Sequence, residues 1–157
     1  MPSPIAQIYG EEVGATFTVP TSDFSTFPGS TKFVAQTMDI RYIKPDREHL
    51  RFVTGQDGKG TWLAQWSASF TGSAGNQTYH ISLFKNSSKM GPTSIERKIG
   101  TGGDIGAAGG GGYVVLKNST DIVDFRVESE TSGVQMTINH LSIRMSRVTS
   151  STALVSL

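Results

Sequence analysis

Apolar and polar residues alternate most regularly between Gly60 and Gly72. In GTWLAQWSASFTG, Trp62, Ala64, Trp66, Ala68 and Phe70 fall on one side of an extended chain, and Thr61, Gln65, Ser67 and Ser69 on the other. This is the period-two signature of a half-buried strand. After the turn GSAGNQ, the segment TYHISLFKN sets Tyr79, Ile81 and Leu83 against His80, Ser82 and Phe84. TSIERKI is a polar strand candidate and YVVL a short apolar one, while DIVDFRVES places Val123, Phe125 and Val127 opposite Asp124, Arg126 and Glu128. VQMTINHLSIRM changes phase: Val134, Met136 and Ile138 occupy even positions, Leu141, Ile143 and Met145 odd ones. A one-residue slip would turn a whole apolar set into solvent, so the pattern predicts a β-bulge at Asn139 and His140. The alternative is that both faces are covered, one by the opposing sheet and one by a partner subunit.

Upstream, IAQIY, ATFTV, FVAQTMDIRYI and HLRFV are strand candidates, separated by VPTSDFSTFPGS and by KPDRE, whose Pro45 and Asp46 suit a tight turn. No window keeps a 3.6-residue apolar repeat over helix length, and no unit recurs at the 20 to 50 residues of a solenoid or propeller. The expectation is an all-β chain of about eight to ten antiparallel strands. Residues 1–147 form one domain, and residues 148–157, within SRVTSSTALVSL, form an extended C-terminal arm.

The 157 residues suffice for one well-buried core. A formal charge of +1 with acids and bases interspersed offers no basic stripe for nucleic acid. With no cysteine, disulfides, thiolate metal sites and a Cys nucleophile are excluded. MPSPIAQIYGEEVG has neither a basic n-region nor an apolar h-region, and no apolar run approaches the ~20 residues of a membrane span. The expectation is synthesis as a soluble cytoplasmic chain without a membrane partner. Sequons at Asn76, Asn86 and Asn118 then read as products of Ser/Thr-rich turns.

Candidate chemistry is thin. GTGGDIGAAGGGGY, Gly100 to Tyr113, could cradle a phosphate or connect two strands. The dinucleotide spacing counted from Gly100 puts Ile105 where the third glycine belongs, and the single Gly-Lys pair, Gly58-Lys59, is followed by Gly60 instead of Ser or Thr. The run therefore reads as a structural loop feeding YVVL, with Gly100, Gly103, Asp104 and Gly112 as candidate contact-loop residues. His49, His80 and His140 lie far apart with no second ligand at metal spacing, no G-x-S-x-G is present, and Glu11-Glu12 and Asp121/Asp124 read as solvated charges. No catalytic residue, metal or cofactor is expected. Trp62 and Trp66 admit three readings: a sugar-stacking platform, sandwich core, or packing against another subunit.

From Gly60 to Met145, the order GTWLAQWSASFTGSAGNQTYHISLFKNSSK, IERKIGTGGDIG, a short apolar strand, DIVDFRVES and NHLSIRM resembles the complement globular-head and tumour-necrosis-factor-like jelly roll, in the version found on bacteriophage particles. That resemblance implies a ten-strand jelly-roll β-sandwich assembling as a homotrimer. Trp62, Trp66, Phe70, Tyr79, Phe84, Tyr113 and Phe125 are then candidates for its core or trimer interface. Apolar residues on both strand faces, such as Phe84 opposite Leu83 and Ile122 beside Val123, fit a surface hidden by a partner. The implied role is a trimeric capsid decoration protein on the virion surface, with the major capsid protein as partner and MPSPIAQIYG or the C-terminal arm as its foot. The alternative is a receptor-binding or fibre-tip module recognising a host surface glycan.

Overall fold

The computed structural model describes residues 3–21, 23–101 and 103–157. The alternating segments become strands of a two-layer sandwich in which every ladder is antiparallel. The front sheet runs in the order β11 (Ile105–Leu116), β7 (Gly60–Gly72), β13 (Gln135–Thr149), β1 (Ile5–Gly10) and β4 (Val34–Thr37), with β2 (Ala15–Thr18) also on β13. The back sheet runs β10 (Ile95–Ile99), β8 (Gln77–Lys85), β12 (Ile122–Ser129), β6 (Arg51–Thr54) and β5 (Ile43–Asp46). Two short strands complete it: β3 (Ser25–Thr26) on β12 and β9 (Ser88–Lys89) on β8. The all-β reading holds, and the chain is cut more finely than the expected eight to ten strands.

β13 organises the front sheet. Its register with β7 shifts between Ile138 and His140, which leaves Asn139 as the extra residue where the apolar set changes phase. Both Ile138 and Leu141 stay buried as a result. β2 pairs with β13 before the bulge and β1 after it, and the Val13 amide in the corner between them donates to the Asn139 carbonyl at 3.0 Å. β13 also reaches Thr149, so the segment outside the sandwich begins at Ser150 rather than at residue 148.

Both inner faces meet in one core. Trp62, Phe70, Tyr79 and Phe125 are fully buried and Trp66 nearly so, each large apolar side chain contributing about 1.5–3 kcal/mol. Trp66 meets Phe125 edge-on at 5.6 Å, and Phe70 meets Tyr79 at 5.5 Å. Burial pushes the Tyr79 phenol above its ordinary pKa, and its hydroxyl donates to the Gln135 carbonyl at 3.0 Å.

Several upstream expectations are corrected. FVAQTMDIRYI is not one strand: Asp39 turns it, its Oδ1 accepting from the Arg41 amide at 2.9 Å, so that β4 joins the front sheet and β5 the back. Pro45 and Asp46 are not turn centres but the end of edge strand β5, where a missing N–H is tolerated. The turn follows, with Leu50 at φ 45° and the Glu48 amide donating to Asp46 Oδ1. Phe84 points out of the back sheet but is 7% exposed, because Phe24 packs on it at 5.0 Å and the Arg126 guanidinium lies over its ring at 4.8 Å. Its apolar surplus is covered within the chain and does not call for a partner.

The turn before β12 supplies a buried acid. Asp121 Oδ2 accepts from the Lys117 and Asn118 amides at 2.8 and 3.1 Å, and Oδ1 accepts from Asn86 Nδ2 at 2.9 Å. Burial pushes its pKa up, yet these donors and the Lys85 ammonium at 3.8 Å outweigh burial and leave it below the usual carboxylate value. A pKa lowered by folding stabilises the fold above the unfolded value, and that contribution disappears as pH falls through the folded one. Asp121→Asn is therefore expected to lower stability by about 1–2 kcal/mol at neutral pH. Urea melts should show the gap between the two proteins narrowing below about pH 4, where the wild-type carboxylate protonates.

Candidate functional site

The glycine run is a strand. Ile105–Leu116 forms β11, paired residue for residue with β7 from Ile105↔Thr71 to Leu116↔Gly60. Gly112 sits opposite Ala64 within that ladder and is not a loop residue. The true connection is the short turn from β10, which holds Gly100, Gly103 at φ 89° and Asp104, whose Oδ2 accepts from the Thr101 amide.

Glycine is required on the inner face of β11 because another backbone lies against it. The 3₁₀ turn η1 (Gly91–Thr93) crosses between the sheets, and a Cβ on Gly110 would stand 2.6 Å from the Thr93 carbonyl oxygen. One on Gly112 would stand 2.6 Å from Pro92 Cβ. The Thr93 carbonyl is fixed in place by Trp66 Nε1, which donates to it at 2.8 Å. Thr93 Oγ1 accepts from the Leu83 amide at 3.0 Å and donates to the Met90 carbonyl at 2.8 Å. The turn thus closes the open side of the sandwich, and β11 gives up its inner side chains to admit it.

On the outer face, the absence of side chains leaves a smooth floor. Register aligns successive outward rows: Tyr113, Leu63, Ser146 and Ile5; then Gly111, Gln65, Arg144, Gln7 and Gln36; then Gly109, Ser67, Ser142, Tyr9 and Val34; then Ala107, Ser69 and His140. Arg144 is the single Lys, Arg, Asp or Glu among these positions. A shallow trough of about 760 Å³ runs over the middle, floored by Ser67, Ser69, Ala107, Gly109 and Ser142 and walled by Tyr9. Tyr113 and Ile105 project from the same outward side of β11, 56% and 70% exposed. The outer face of the back sheet is the opposite in character, carrying Lys44, Asp46, Arg51, Asp124, Arg126, Glu128, Glu96 and Lys98.

The structure thus separates the aromatic candidates. Trp62, Trp66, Phe70, Tyr79 and Phe125 are core residues, Phe84 is covered from outside, and Tyr113 alone stands at the open front face. Trp62 Nε1 donates to the Gly58 carbonyl at 2.8 Å, so both indole groups are fully engaged inside the sandwich. Neither tryptophan offers a ring to a sugar or to a neighbouring subunit. The serines of β7 and β13 belong to no catalytic motif in the sequence; their signal is the uniform smallness of the polar side of the alternation.

No protein-family model matches the sequence, and no curated protein matches it. Solved structures do. The crystal structure of murine APRIL at pH 5.0 superposes with a TM-score of 0.56 at 9% identity, covering 93% of this chain and 99% of that one. The globular domain of zebrafish complement 1qA gives 0.55 at 12% identity, covering 94% and 98%. The sandwich is a jelly roll. It is similar to these two along nearly its whole length, and at this identity the likeness is one of fold.

Proposed function

We propose that this chain is a structural subunit of a bacteriophage particle, a homotrimeric decoration protein that binds the outside of the capsid shell and stabilises it. The observation that carries the reading is the separation of charge between the two outer faces. A front face floored by glycine, alanine and serine, with Arg144 in its aligned rows and Glu11 beside the trough as its charged side chains, permits close packing of one copy on another, and the densely charged back face remains for solvent. The order of motifs from Gly60 to Met145 supports the phage type of jelly roll. The glycan-binding alternative is weakened by the burial of both tryptophans.

The foot is the C-terminal segment. MPSPIAQIYG cannot serve as a free arm, because Ile5–Gly10 is a strand held between β13 and β4. Residues 150–157 lie outside the sandwich with Leu154 and Val155 exposed. Three such segments on one trimer would sum modest contacts with the major capsid protein into stable attachment.

Native mass spectrometry is expected to show a species of about 50 kDa, three chains of 16.8 kDa each. Ser67→Arg, placed opposite Ser142 at the centre of the front face, is expected to yield a folded monomer, read by the same measurement together with circular dichroism. Wild-type protein that stays monomeric at micromolar concentration would rule the assembly out. Removal of residues 150–157 should leave the trimer intact and abolish its co-sedimentation with shells built from the capsid protein. Undiminished binding would exclude the arm as the foot.

A further inference from the structure

We infer that the outer face of the back sheet carries a binding site for a first-row divalent cation of the zinc class, formed by His80, Glu96 and Glu130. The three residues come from β8, from β10 and from the turn after β12, and one ligand atom of each lies within 4.8 Å of the others. Register places Glu96 directly across from His80 on one side and Glu128 on the other. Two carboxylates, those of Glu96 and Glu130, flank one imidazole. Glu130 Oε1 lies 3.3 Å from His80 Nε2 and Glu96 Oε2 lies 3.9 Å from Nδ1. Among the described residues, neither glutamate has a lysine or arginine within ion-pair distance, and the nearby Arg126 is taken up by Asp124 at 2.8 Å.

A divalent cation in this cluster binds one ring nitrogen and one oxygen from each glutamate and offsets the negative charge. Mixed nitrogen and oxygen ligands suit zinc and its neighbours better than magnesium or calcium, which prefer oxygen alone. Bond lengths of about 2.0–2.2 Å place tetrahedral ligand atoms about 3.4 Å apart. The present spacing closes to that value by rotation of the two glutamates, whose side chains are 66% and 61% exposed, about an imidazole that is 26% exposed. Water completes the coordination. The effect is mechanical: the ion ties the edge strand β10 to β8 and to the turn that leads into β13. This site lies on the face opposite the proposed trimer contact, and its test does not depend on assembly.

Zinc chloride titrated into chelator-treated protein by calorimetry is expected to bind one ion per chain, to raise the melting temperature and to slow amide exchange in residues 95–99. His80→Gln and Glu130→Gln should each weaken binding by about tenfold or more, and His49→Gln should leave it unchanged. Should His80→Gln fold poorly, the imidazole resonances of His80 in wild-type protein must shift on zinc addition. Absence of binding at about millimolar zinc, survival of binding in His80→Gln, or equal affinity for magnesium overturns the proposal.

Discussion

Gly110→Ala is expected to destabilise the protein by about 2–3 kcal/mol, the cost of forcing a methyl group into a packed interior. The new Cβ meets the Thr93 carbonyl oxygen at 2.6 Å, and that oxygen cannot retreat without losing the Trp66 indole N–H. The neighbouring Gly111→Ala makes the comparison decisive. Its Cβ would point outwards and meet Gln65 Cγ at 3.1 Å, the middle of a side chain free to turn aside. Glycine also loses more backbone entropy on folding than alanine, so this variant should remain within about 1 kcal/mol of wild type. Thermal melts check both, since about 2–4 °C accompanies each kcal/mol in a chain of this size. Equal effects at the two positions would mean that η1 does not press on β11 as described.

Trp66→Ala is expected to have the largest effect of all, a loss of about 3–5 kcal/mol. The indole is nearly buried, meets Phe125 edge-on, and holds the Thr93 carbonyl at 2.8 Å. Its removal leaves both a cavity and an unpaired buried oxygen. Because Trp66 and Gly110 press on the same carbonyl, their effects should not add. In Trp66→Ala the turn is free to shift, and a methyl at position 110 should then cost less than in the wild type. Denaturant melts of the two single variants and the double variant measure this coupling directly.

What the sequence revealed depended on how local the cause was. The alternation in β7, β8 and β12 is written by residues two apart, and the phase change around Asn139 is equally local, so both could be read without coordinates. The glycine run could not. Glycine is usually unfavourable in a strand, and the reason for it at Gly110 and Gly112 is a turn some twenty residues earlier that fills the space where side chains would stand. The burial of Phe84 is non-local in the same way, because its cover, Phe24, comes from a segment with no strand periodicity of its own. The front face was hidden for a different reason: Ser67, Ser142 and Gly109 become a surface only when register aligns them. Pro45 shows that a single turn former locates a break to within a few residues but does not say which sheet follows, while the turn at Asp39 falls inside a segment whose pattern reads as one strand.

The position of β13 also constrains how the molecule can be made. It follows every other strand in sequence, yet it stands at the middle of the front sheet, with β7 on one edge and β1 and β2 on the other. Before it emerges from the ribosome, β1 and β7 have no common neighbour, and each presents an unpaired backbone edge. The front layer must therefore close after translation of the last strand, around contacts that span most of the chain. Slow, concentration-sensitive refolding follows from that order of events. Truncation within β13 should send the nascent protein towards aggregation rather than towards a smaller folded unit.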